Sequence, residues 1–163
     1  MNKIVFLCCV SLMLLACGGG QKASDGTSAA PTATAPAANH PVLYPSVAPE
    51  TVKMLWDKCD YIDFVFYYLN FSMSQKEPQS IKGTIAHISA DVPGIDPNCK
   101  PIGRLFFQSE GKNVLEADIF YSNGCAYYIF YEDGKYAYAN KMMPAGSQFF
   151  DNIFKQVEAQ QKK

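Results

Sequence analysis

The stretch Ile102–Met142, IGRLFFQSEGKNVLEADIFYSNGCAYYIFYEDGKYAYANKM, decides the fold. Apolar and polar residues alternate along it with period two, and Glu110-Gly111-Lys112, Asn123-Gly124 and Asp133-Gly134 interrupt the alternation at three places. Asn-Gly and Asp-Gly tolerate the positive φ that tight hairpins demand, so the segment predicts four antiparallel strands over 102–109, 113–122, 125–132 and 135–142. A three-residue first loop sets Leu105 opposite Ala117 and Phe107 opposite Leu115. Two-residue loops set Ile119 opposite Tyr128 and Phe130 opposite Ala137. One face then carries Leu105, Phe107, Leu115, Ala117, Ile119, Tyr128, Phe130, Ala137 and Ala139, with alanines small enough to admit helices. The other carries Arg104, Phe106, Glu116, Asp118, Phe120, Tyr127, Ile129, Tyr131, Tyr136 and Tyr138, an aromatic set with charge at one side.

Outward from this meander, the period changes to that of a helix. Val52, Leu55, Trp56, Cys59, Ile62, Phe66 and Leu69 recur at three-and-four spacing, which predicts a helix over 49–71 begun by Ser46 and Pro49. Its weak point is Phe64-Val65-Phe66-Tyr67-Tyr68, a run of strand formers that could end the helix early. Ile81, Ile85 and Ile88 predict a second helix over 78–89, closed by a loop holding Pro93, Gly94, Pro97 and Pro101. A last helix is expected from Ser147, burying Phe149, Phe150, Ile153, Phe154 and Val157. The expected class is α+β: two N-terminal helices, a four-stranded antiparallel meander, and a C-terminal helix packed on one sheet face.

Length and composition set the bounds. A chain of 163 residues with 48% hydrophobic and 18% charged residues carries one ordinary core and is not a disordered or fibrous polymer. Fourteen Lys and Arg against fifteen Asp and Glu leave a net charge of -1, so no basic excess exists to neutralise a phosphate backbone, and nucleic acid is not an expected partner.

The N-terminus reads as an address. Met1-Asn2-Lys3 precedes an apolar run from Ile4 to Leu15 broken only by Ser11, then Ala16-Cys17 and three glycines. One positive charge, a dozen apolar residues and a small residue before the break match a secretory signal peptide over 1–16, and the run is too short to span hydrocarbon. Leu14-Leu15-Ala16-Cys17 resembles the lipobox of bacterial lipoproteins. That resemblance implies that Cys17 becomes the first mature residue and carries palmitate-type acyl chains, a membrane anchor. It further implies a lipid-anchored place in a bacterial cell envelope. Gly18 rather than Asp after the cysteine resembles the default routing to the outer membrane. Residues 17–44, rich in Gly, Ala, Ser, Thr and Pro without hydrophobic periodicity, form a flexible linker, and 45–160 form the single folded domain.

Cysteine arithmetic follows. Cys8 and Cys9 leave with the signal and Cys17 takes lipid, so the domain keeps Cys59, Cys99 and Cys125. Three pairings are open in an oxidising compartment. Cys59 occupies an apolar helical position, whereas Cys99 and Cys125 each sit in a loop just before a strand, which favours joining the latter two.

Chemistry is harder to find. Arg104 is the sole arginine and the register sets it opposite Asp118 with Glu116 near. This is either a cross-strand ion pair that pins register or an anion-recognising fork held by a carboxylate. The tyrosines of the same face either pack beneath helices or a second subunit, or form a surface for protein contact or sugar stacking. Asp57, Asp60 and Asp63 recur every three residues and read as a solvated helical stripe rather than a metal site. His40 falls in the linker and His87 stands alone. No GxGxxG, GxxxxGK[ST], HExxH, GxSxG or CxxC is present, so no nucleophile, metal or cofactor is assigned.

The pieces Trp56-Asp57-Lys58-Cys59-Asp60-Tyr61-Ile62-Asp63, Cys99-Lys100-Pro101-Ile102-Gly103-Arg104, Gly124-Cys125 and Tyr138-Ala139-Asn140-Lys141 resemble those of small uncharacterised bacterial envelope lipoproteins over residues 50–155. The resemblance implies a self-contained domain and the Cys99–Cys125 pairing, and transfers no activity. The expected function is a non-enzymatic binding or assembly module. It would use a face of Arg104, Phe106, Asp118, Phe120, Tyr127, Tyr131, Tyr136 and Tyr138 to hold an envelope protein, a glycan or a second copy of the chain. Carbohydrate or small-ligand capture by the same tyrosines is the second expectation. An enzyme built from Arg104, Asp118 and Glu116 is the third.

Overall fold

The computed structural model describes residues 43–161 with the exception of Asn123. The signal peptide, the acylated Cys17 and the linker expected from the sequence fall, up to residue 42, outside the described residues. Element order is α1 (Pro49–Lys58), β1 (Tyr61–Phe66), β2 (Ser72–Gln75), α2 (Pro78–Ile85), β3 (Gly103–Ser109), β4 (Lys112–Ser122), β5 (Cys125–Glu132), β6 (Lys135–Lys141) and α3 (Pro144–Gln161).

Pro49 opens α1, where its fixed φ suits a first turn whose N–H groups have no helical partner. The helix expected to reach Phe71 stops at Lys58. From Tyr61 the chain is extended, and Ile62, Phe64 and Phe66 point alternately into the core. Ile62 and Phe66 satisfy both a helical and an alternating pattern, and Phe64 satisfies only the second. The β-branched and aromatic run then wins because β3 offers it a full ladder, from Tyr61↔Gln108 to Phe66↔Gly103. β1 turns back on itself as β2, a short polar strand with no apolar period to announce it. The expected class is corrected accordingly. The sheet has six strands, not four, in the order β2-β1-β3-β4-β5-β6, every neighbouring pair antiparallel. One helix and a strand pair precede α2 in place of two successive helices. The aspartate stripe dissolves with the long helix, since Asp57 is helical, Asp60 follows the helix and Asp63 is on a strand.

The other helices also differ at their ends. α2 ends at Ile85 rather than at residue 89, because Ile88 bridges Met142 and Ser89 N–H donates to Lys141 O at 3.0 Å. α3 begins at Pro144, before the expected Ser147. Val47, Leu55 of α1, Ile81 and Ile85 of α2 and Phe150 of α3 are buried with the inward residues of β1, β3, β4 and β5, so the helices cover one sheet face. Tyr121 Oη donates to Asp151 Oδ1 at 2.6 Å and ties β4 to α3; that bond, burial and the carboxylate's charge push the hydroxyl up to about 12.

The hairpins form where expected, with two changes of register. Glu110 and Gly111 both have positive φ, 52° and 73°, and make a two-residue turn. An irregularity after Phe107 then restores the expected pairs Phe107↔Leu115 and Leu105↔Ala117. Asp133 and Gly134 turn likewise at φ 50° and 74°. Beyond them a second irregularity leaves Ala137 unpaired, so Phe130 faces Tyr138 rather than Ala137. The chain beyond that point is flipped: Tyr138 joins the helix-covered face and Ala139 the opposite one.

A disulfide joins Cys99 to Cys125, and Cys59 is a half-buried free thiol. The bond draws the loop before β3 across the second sheet face.

Candidate functional site

The second face divides into a covered half and an open half. On the covered half Phe120, Cys125, Tyr127, Ile129 and Ala139 are buried beneath Tyr44, Ile95 and the disulfide loop. Phe120 and Tyr127 stack with ring centroids 4.8 Å apart. Tyr127 is only 3% exposed, so this ring has no free surface for a sugar. The outer edge of β6 is sealed as well: Ala139 N–H donates to Pro45 O and Lys141 N–H to Asp91 O, each at 2.8 Å.

At the border between the halves lies a buried carboxylate. Asp118 is 2% exposed and stands opposite Arg104, as expected. Arg104 Nε–H donates to Asp118 Oδ1 at 2.8 Å, and Tyr67 Oη donates to the same oxygen at 2.8 Å. Tyr131 Oη donates to Oδ2 at 2.9 Å, and Tyr136 Oη donates to Oδ2 by a shorter bond. The carboxylate thus accepts four donors from β3, β5, β6 and the end of β1. Burial opposes its charge, but the bonds from Arg104, Tyr136, Tyr67 and Tyr131 outweigh that and hold its pKa below the ordinary 3.8.

The charge of Asp118 acts back on its donors. Burial and the carboxylate together push Tyr67 up to about 12 and raise Tyr136 further; Tyr131 is raised chiefly by burial. Burial opposes the charge of Arg104 too, yet the Asp118 bond and charge keep the guanidinium firmly protonated. Arg104 also lies 4.2 Å over the Tyr131 ring, donates from Nη2 to Tyr131 Oη, and approaches Glu116 Oε2 at 3.6 Å from Nη1. Two carboxylates therefore meet one guanidinium, which leaves no surplus positive charge for an incoming anion. The cross-strand ion pair is what this geometry serves.

The open half begins beside this network. Asp63, Phe106 and Glu116 form a cross-strand row on β1, β3 and β4, followed by the row Val65, Arg104 and Asp118. Phe106 is half-buried, while Val65 and Tyr67 are 39% and 43% exposed and Tyr68 is 71% exposed. Of the eight face residues expected from the sequence, Arg104, Asp118, Tyr131 and Tyr136 converge, Phe106 is on the open half, and Phe120 and Tyr127 are under the loop. Tyr138 is removed from the set: its ring packs with the helix-side core and its hydroxyl donates to Glu132 at 2.8 Å. Tyr67 was missed, because only a strand at 61–66 brings its hydroxyl to Asp118.

Among the described residues no three His, Cys, Asp or Glu side chains converge to hold a metal ion. Compared with known protein families, with curated proteins and with solved structures, the chain matches none.

Proposed function

We propose that the protein is a lipid-anchored component of a bacterial cell envelope, held at the membrane by acyl chains on Cys17, whose folded domain is a non-enzymatic binding module. Two independent features support the location. The first is the lipobox-like Leu14-Leu15-Ala16-Cys17. The second is the Cys99–Cys125 disulfide, a bond that persists in oxidising compartments and is rare in the cytosol. Fractionation tests the anchor: Cys17→Ala shifts the protein from the membrane to the soluble fraction, and mass spectrometry of the native N-terminal peptide finds acylated Cys17. An uncut leader on a cytosolic chain would overturn this reading.

The observation that carries the binding role is the open half of the second sheet face. There Phe106 lies between the carboxylates of Asp63 and Glu116, beside exposed Val65 and Tyr67. All four donors around Asp118 are already engaged with it, so the carboxylate acts as a rigid base beneath the surface and has no free oxygen positioned to take a substrate proton. An apolar centre with an acidic rim suits an envelope protein that presents apolar and basic groups. A photoreactive side chain at position 106 is expected to form a discrete adduct with one such protein in intact cells. The same group at Gln148, exposed on α3, is expected to form none, and Asp63→Lys is expected to weaken the adduct at 106. Equal labelling from both positions overturns the role, and an adduct only with a second copy of the chain identifies a homodimer instead.

A further inference from the structure

We propose that the open edge of the sheet is where two copies of this chain join, β2 to β2, across a twofold axis. The two edges of the sheet are finished differently. On β6 the outward N–H groups of Ala139 and Lys141 are taken by Pro45 O and Asp91 O. β2 pairs only with β1, and among the described residues no hydrogen bond reaches its outer main-chain groups. An unpaired row of N–H and C=O groups is a template for another extended chain, and sheets that stay single guard it with charge, proline or a bulge. Ser72-Met73-Ser74-Gln75 has neither a charge nor a proline, and its ladder with β1 runs without irregularity from Ile62↔Gln75 to Val65↔Ser72.

The neighbouring strands fix the register of the join. Tyr67 N–H donates to Ile102 O at 2.9 Å next to the pair Phe66↔Gly103, so the odd-numbered residues of β1 turn their main-chain groups to β3 and the even-numbered ones to β2. Met73 and Gln75, opposite Phe64 and Ile62, therefore face β1, and Ser72 and Ser74 present their N–H and C=O outward. Antiparallel pairing then exchanges bonds between Ser72 and Ser74 of the second copy, and between Ser74 and Ser72 of the second copy. It sets the two Met73 residues at a non-hydrogen-bonded pair, where side chains come closest.

What lies beside that pair favours a second copy over an unrelated strand. Met73 lines a groove of about 480 Å³ with Phe71 of the β1–β2 connection and Ile153 and Val157 of α3; the remaining lining residues, Asn70, Gln156 and Gln160, are uncharged amides. A twofold axis normal to the sheet keeps the helix-covered face of both copies on one side, so the two grooves become one with a flexible methionine from each copy at its centre. Four residues make a brief ladder, and the joined groove supplies the apolar burial that the ladder lacks. No ionised group of β2 or of the groove meets its own image, the condition that a self-complementary contact has to satisfy. The join lies at the sheet margin and does not rest on the role given to Phe106, so either can fail alone.

Crosslinking from the centre of the join tests it. Treated in intact cells with a short, membrane-permeant bismaleimide, full-length Met73→Cys is expected to link to a second copy, whereas Gln148→Cys, exposed on α3, is not. Adding Ser72→Lys and Ser74→Lys, both at exposed positions, sets lysines opposite one another at both bonded pairs and is expected to abolish the link. Ser72→Glu with Ser74→Glu is expected to do the same. Cells making both charged forms, each with Met73→Cys, should regain the link, which a chain that had merely failed to fold could not do. No link from Met73→Cys, a link only to a different protein, an equal link from Gln148→Cys, a link indifferent to the charged pairs, or none regained in the mixed cells would each overturn the join.

Discussion

Arg104 and Asp118 face each other across β3 and β4 and meet at 2.8 Å, and three tyrosyl hydroxyls complete the shell of the carboxylate. Removing a buried partner from such a cluster leaves several donors unsatisfied at once. Asp118→Asn is therefore expected to destabilise the domain by about 3 kcal/mol. The contribution is pH-dependent with a definite sign. The folded carboxyl titrates below its ordinary 3.8, so the stabilisation is complete above that value and is lost as pH falls below it toward the folded pKa. Urea midpoints measured at pH 6 and pH 3 check this: the gap between the native protein and Asp118→Asn should narrow at pH 3. A gap of the same size at both values would show that the ionised form gains nothing from its donors.

Gly103 opens β3 opposite Phe66, with the β1 backbone close against it. A Cβ built there would lie 2.5 Å from Val65 O and 3.1 Å from the Phe66 Cα, both backbone atoms that cannot swing aside. Gly103→Ala should cost about 1–3 kcal/mol through the backbone shift it forces. The damage is expected to be local, so amide exchange should accelerate along β1 well before β5. Unchanged exchange along β1 would show that the two strands separate without loss.

The disulfide is the strap of the second face. It closes 26 residues and holds the loop that covers Phe120 and Tyr127. Chain-entropy reasoning gives roughly 3–4 kcal/mol for a loop of this length, so Cys99→Ser with Cys125→Ser should melt well below the native protein. Reductant should produce the same shift in the native protein and none in the double variant. The near-ultraviolet circular dichroism of the stacked Phe120–Tyr127 pair should also weaken as the loop lifts, and its persistence would place the ordering of these rings in the sheet alone.

Legibility followed local chemistry. Glycine-bearing turns made the hairpins readable, and the pairs Leu105↔Ala117, Phe107↔Leu115 and Ile119↔Tyr128 hold in the structure. Phe130↔Ala137 does not hold, because Tyr136-Ala137-Tyr138-Ala139 alternates large and small in either register and no residue there declares the bulge. β1 was hidden for a similar reason: Ile62, Phe66 and Leu69 fit a helical face, and only the pairing offered by β3 selects the strand. β2 carried no signal, since Ser72-Met73-Ser74-Gln75 is short and polar. Opposition of Arg104 and Asp118 is read from an expected three-residue turn, and it holds because the two-residue turn that forms is offset by the irregularity after Phe107. Three of the aspartate's four donors come from elsewhere, and Tyr67 is beyond any reading that keeps residues 49–71 helical.

His87 supplies the last test, and it acts in a different pH range. Its ring lies 5.5 Å from Phe149, its Nδ1 is buried without a partner among the described residues, and its backbone carbonyl accepts the Met143 N–H at 2.8 Å just before α3. A Cβ at Gly146 would come within 2.9 Å of the His87 Cβ, so α3 leaves little room for water to reach the ring. Burial accordingly lowers the imidazole pKa from its ordinary 6.5. The folded state resists the proton that the unfolded chain accepts. The stability tied to neutral His87 is thus complete above 6.5 and is lost as pH falls below it toward the folded pKa. Melting temperatures at pH 7.5 and 5 should fall for the native protein by more than for His87→Gln, whose side chain carries no proton to gain. Parallel declines in the two proteins would mean that the imidazolium finds solvent where the helix start stands, and that α3 loosens there before the sheet does.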